Sequence, residues 1–114
     1  MKLVLLVLNK VEKLDDFLEG LAEHGITSAT IVNSTGMVKE LSKKSNEYPI
    51  FASINILLDL DHQESKTIFI VVKDEQFEIV RDVIKTTVGD ISKPDTAVLF
   101  TLPVLTAEGV GFHK

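Results

Sequence analysis

The chain has 114 residues, 45% of them hydrophobic, with 17 acidic against 12 basic side chains and a formal net charge of −5. That is the size and apolar content of one domain with a proper core, which excludes disorder, and the acidic balance gives no electrostatic footprint for nucleic acid or an anionic membrane. Cysteine is absent, which removes disulfides, thiolate metal sites and cysteine nucleophiles together and fits a reducing, cytoplasmic setting.

Lys2 to Leu8 (KLVLLVL) is a continuous apolar run, too short to cross a membrane and without a small-residue cleavage site, and it predicts a buried first strand. From Glu12 to His24, Leu14, Phe17, Leu18 and Leu21 recur at helical spacing, with Asp15 and Asp16 in the first turn where the helix dipole favours acids. Gly25 follows as a terminating glycine, and His24 just before it suits a capping role better than a catalytic one. Ile26 to Asn33 (ITSATIVN) is rich in β-branched residues and predicts a second strand, closed by a turn at Ser34-Thr35-Gly36.

The plan then repeats. Thr67 to Val72 (TIFIVV) predicts a strand, and Phe77, Val80, Ile84 and Val88 mark a helix with Asp74 as candidate cap and Gly89-Asp90 as its stop. Ala97 to Leu102 (AVLFTL) predicts the last strand, ended by Pro103. Two βαβ halves in tandem imply a single α+β domain over residues 1–114: a ferredoxin-like βαββαβ unit with a four-stranded antiparallel sheet and two helices on one face. Between the halves, Met37 to Lys66 is too long for a plain connector. Its polar part (KELSKKSNEY) predicts a loop, and Ile50, Ile54, Leu57 and Leu58 after Pro49 suit a short helix, with a strand as the alternative.

Helices in such a fold cover one sheet face only, so the other should look polar. Instead Leu3, Leu5 and Val7 alternate with Val4, Leu6 and Leu8, and Ile68, Ile70 and Val72 alternate with Phe69 and Val71. A sheet apolar on both sides needs a second cover, and a symmetric copy of the chain supplies it; the other candidate is the middle segment folding back.

Several stretches resemble the PII nitrogen-regulatory signalling proteins: Lys13-Leu14-Asp15-Asp16, Gly25-Ile26-Thr27 running into Ala29 to Val32, Thr35-Gly36, IFIVVKDEQF (Ile68 to Phe77) and the ending LFTLPV (Leu99 to Val104). The resemblance implies a cytoplasmic homotrimer that binds ATP or ADP between subunits and controls a transporter or an enzyme through the long connection, residues 37–66. It carries ligand binding onto Gly25, Ile26, Thr27, Thr35, Gly36, Gly89 and Asp90, with Lys93 as the cation of the loop before the last strand. In that connection the charge run Lys39, Lys43 and Lys44, with Glu40, offers a cationic partner-binding loop to an acidic partner or phosphate, against the plainer reading of a solvated loop. Tyr48 stands there without the glycine-rich surroundings of the family's modified tyrosine, so its nucleotidylation is not expected. The chain departs from that pattern where Val98 replaces an expected lysine and where C-terminal arginines are missing, Arg81 being the sole arginine. Polyphosphates meet several cations in most sites, so the departures imply weakened or altered nucleotide binding. They also leave open a structural trimer of the same fold that has lost its ligand.

Catalysis has little to rest on. The sequence holds no nucleophile elbow, no Walker-type GxxxxGK[ST] and no HExxH pattern, so a regulator rather than an enzyme is expected. Asp59, Asp61, His62 and Glu64 form the one carboxylate and imidazole cluster, which reads as a solvated loop before a metal site.

Overall fold

The computed structural model of the chain describes residues 1–42 and 64–111. In chain order it has β1 (Lys2–Leu8), a 3-10 turn (Val11–Lys13), α1 (Leu14–Glu23), β2 (Thr30–Thr35) and α2 (Met37–Ser42). After these come β3 (Glu64–Val72), a second 3-10 turn (Asp74–Gln76), α3 (Phe77–Thr87) and β4 (Ala97–Pro103). The strands form one antiparallel sheet in the order β2-β3-β1-β4, an α+β arrangement compatible with the ferredoxin-like βαββαβ plan.

The alternation of each central strand decides which side becomes core. Val4, Leu6 and Leu8 of β1 and Ile68, Ile70 and Val72 of β3 share a face and are essentially fully buried beneath Phe17 and Leu21 of α1 and Val80, Val83 and Ile84 of α3. Register aligns them, Leu6 standing opposite Ile68 on one side and Leu99 on the other. Where the two helices cross, Gly20 lets α1 approach α3 so closely that an added Cβ would lie 2.7 Å from Val83 Cγ1.

The end of α1 explains where β2 begins. Gly25 adopts φ +77°, the left-handed conformation that costs a side-chain-bearing residue energy. Its N–H donates to the Ala22 carbonyl at 2.9 Å while the Ile26 N–H donates to the Leu21 carbonyl at 3.0 Å, a Schellman closure with Ile26 buried against the helix end. Ile26 is thereby tied to α1, and strand pairing starts at Thr30 rather than at Ile26.

Ser34 and Thr35 correct the expected turn. They remain in β2, opposite Ser65 and Glu64. The Ser34 and Ser65 hydroxyls are 2.7 Å apart, Thr67 Oγ1 donates to Ser34 Oγ at 2.8 Å, and Lys66 Nζ bonds Asn33 Oδ1. These polar links extend β3 back to Glu64, ahead of the apolar run at Thr67. After Gly36 the chain enters α2, so the polar loop expected from Lys39 begins as a helix. Asp74 is the first residue of its turn and not the cap; Gln76 Oε1 instead accepts from the Lys73 N–H at 2.9 Å. The helix expected over Ile50 to Leu60 lies outside the described residues.

The second sheet face is apolar, as the strand pattern requires, and the described residues leave it open. Leu3, Leu5 and Val7 are half-buried, while Phe69, Val98, Phe100 and Leu102 are 38%, 45%, 51% and 45% exposed.

Candidate functional site

The residues singled out from the sequence fall around the sheet in separate hollows. Gly25, Ile26 and Thr27 line one with Val71, Lys73, Gln76 and Gly111. Thr35 lines a second with Asn33, Ser34, Lys39, Glu40, Glu64 and Lys66. Gly89 and Asp90 line a third with Arg81, Ile84, Lys85, Ile91 and Leu99.

Strand register gives their relative placement. Leu8 pairs with both Lys66 and Ala97, and Lys66 pairs with Asn33, so the end of β2 and the start of β4 lie at one end of the sheet. They occupy opposite edges, three strand spacings or about 14 Å apart. Gly25 to Thr27 belong to the other end of the β2 edge, a strand length of about 17 Å from Thr35. Among the described residues, then, the single chain does not gather Thr35, Gly25 and Gly89 into one pocket.

Each position has a local reason. Thr35 ends β2, and Gly36 follows as an exposed residue whose carbonyl accepts the Glu40 N–H at 3.0 Å, opening α2. Lys39 projects from α2 with Nζ 3.8 Å from Glu64 Oε1. The Asp90 carboxylate accepts from the Ser92 hydroxyl at 2.6 Å and from the Ser92 N–H at 2.9 Å. Those two hydrogen bonds, the hydroxyl's first, stabilise the ionised form and hold its pKa below the ordinary carboxylate range. Lys93 is exposed on the same loop, its N–H donating to the Asp90 carbonyl at 3.2 Å, and it does not line the third hollow. Asp90 is thus occupied in shaping the loop that carries Gly89. His24 stands at the C-cap of α1, as its place before Gly25 suggests.

Lys43, Lys44 and Tyr48 lie outside the described residues, as do Asp59, Asp61 and His62. Among the described residues no group of three or more His, Asp or Glu side chains could hold a metal ion, and no helix is long and apolar enough to cross a membrane. Val98, where the family resemblance expects a lysine, sits on the open apolar face opposite Val7.

Sequence reasoning missed Arg81, Lys85, Ile91 and Leu99 as neighbours of Gly89. The signal was present as the i,i+4 spacing of Arg81 and Lys85, which puts two cations on one helix face just ahead of the glycine. Such a pair reads as a solvated surface until β4 is laid beside the helix. No family model matches the chain, and no curated protein matches it in sequence.

Proposed function

We propose that the protein is a PII-like homotrimeric regulator that works in nitrogen signalling. It binds a small effector at clefts between subunits and controls a partner transporter or enzyme through the connection between β2 and β3. The observation that carries this reading is the apolar sheet face formed by Leu3, Leu5, Val7, Phe69, Val98, Phe100 and Leu102, which asks for a protein cover. Three copies packing these faces together would bury them and turn the β2 edge of one subunit toward the β4 edge of the next. That juxtaposition would unite the Thr35-Gly36 and Gly89-Asp90 positions that a single subunit holds apart. Gly25, Ile26 and Thr27 then line the far end of the same edge, suiting an elongated ligand such as an adenine nucleotide. Effector contacts favour one conformation of the β2–β3 connection, and the partner binds that conformer.

The placement of Val98 favours a second reading. Its side chain belongs to the apolar face, so no cation stands there to meet a polyphosphate, as expected of a structural trimer of the same fold without a ligand. Thermal unfolding with ATP, ADP and small metabolites separates the two, because only a ligand that binds the folded state raises the melting temperature by mass action. A concentration-dependent rise with any of them supports the regulator. Unchanged melting across the series supports the structural trimer.

A further inference from the structure

We propose that the groove between α3 and β4 is a binding site for a small amphiphilic anion, a carboxylate or phosphate carried on a compact apolar body. The floor is Ile84 of α3, Ile91 of the following loop and Leu99 of β4. Arg81 and Lys85 rise from successive turns of the same helix face onto its rim, so two cations border one apolar trough. Its volume is about 160 Å³, the size of cavity that takes a single benzene ring.

The charges at the rim favour an anion. Arg81 directs Nη1 to Glu78 Oε1 at 3.2 Å and rests 5.8 Å from the centre of the Phe77 ring, an exposed pair that leaves other guanidinium donors for a ligand. Lys85 makes no ion pair with any described residue. The one carboxylate lining the groove, Asp90, sets one negative charge against two cations, and its Oδ1 is turned to the Ser92 hydroxyl and N–H. An apolar floor without the cations would select neutral hydrocarbon, and cations without the floor would select inorganic anions. The combination selects a molecule with both parts. Its lining comes from a single chain, so the groove forms without a neighbour and is tested independently of the trimer, although it shares Gly89 and Asp90 with the proposed effector cleft.

The test follows the methyl resonances of the full-length protein during titration with four probes: benzoate, phenyl phosphate, benzyl alcohol and inorganic phosphate. Benzoate or phenyl phosphate should shift the Ile84, Ile91 and Leu99 methyls saturably, and the tighter of the two identifies the headgroup. Benzyl alcohol and inorganic phosphate should each bind about tenfold more weakly or not at all, as should both anions in the R81Q/K85Q variant, which loses the charge-assisted hydrogen bonds. Both substituted side chains are exposed, and unchanged methyl shifts elsewhere would show that the variant keeps its fold. Equal binding of benzyl alcohol, undiminished binding in R81Q/K85Q, or shifts confined to Leu3, Leu5 and Leu102 of the open sheet face would overturn the proposal.

Discussion

Gly20→Ala sets a gain in helix propensity against a steric clash, and the helix crossing decides the sign. Alanine in a helix interior is favoured over glycine by about 1 kcal/mol. The new Cβ, however, would sit 2.7 Å from Val83 Cγ1 and 3.5 Å from Thr87 Cγ2. Val83 is buried and β-branched, with one strongly preferred rotamer in a helix, and Thr87 Oγ1 is held by the Val83 carbonyl at 2.7 Å. Neither neighbour swings away, so α1 and α3 must separate, and overpacking of this kind costs about 1–3 kcal/mol. The net expectation is a loss of about 1 kcal/mol, the overpacking cost less the propensity gain. In a Val83→Ala background the clash is gone and the same substitution should stabilise, giving a coupling of about 1–3 kcal/mol between the two sites. Urea unfolding of wild type, both single variants and the double variant measures it, at one protein concentration because association shifts apparent stability. A stabilising Gly20→Ala in the wild-type background would refute the close crossing and imply that the helices stand farther apart.

Gly25→Ala forces a side chain into the left-handed region at φ +77°, and urea unfolding should show a loss of about 1–2 kcal/mol. The Asp90 carboxylate titrates below its ordinary range in the fold, so its bonds to Ser92 add stability above the unfolded value of about 3.9 and lose it as pH falls through the lower folded value. The stability gap between wild type and Asp90→Ala should therefore be constant above about pH 5 and shrink as the pH falls through the lowered folded-state value; a gap that widens on acidification would contradict the assigned hydrogen bonds. Calorimetry should find ATP and ADP binding no tighter than roughly micromolar, about −8 kcal/mol, since Val98 and the absent arginines leave the phosphates short of cations. Nanomolar binding would mean that other residues supply the charge. Phe100→Glu places a carboxylate on the open apolar face beside Leu5 and should convert a self-associated protein to monomer, read by size-exclusion chromatography with light scattering.

The parts of the fold visible in the sequence were those where burial and periodicity coincide. β1, β4 and α3 follow from the run Lys2–Leu8, the run beginning at Ala97, and the spacing of Phe77, Val80, Ile84 and Val88. β2 was displaced because ITSATIVN is β-rich from its first residue, whereas Ile26 is claimed by the helix closure and the pairing partners lie farther on. α2 was hidden because MVKELS is short and half polar, which composition alone reads as loop. The open apolar face was legible, since two-sided alternation needs only the strand assignment. The α3–β4 groove was not, because it joins residues 81–91 to Leu99 through a strand that must first be placed beside the helix. Of the positions that the family resemblance marks for a ligand, the chain order is legible but their separation across two sheet edges is not, for register belongs to tertiary structure.

What packs against the uncovered sheet face decides whether the chain works as a trimer or alone. Sedimentation equilibrium of the wild-type chain at micromolar concentration measures this directly, with Phe100→Glu run beside it. The expected result is a single species of three times the 12.6 kDa chain mass, lost in the variant. A wild-type protein that sediments as one 12.6 kDa chain would contradict it, and would leave the Thr35 and Gly89 positions apart on opposite edges with no second subunit to join them.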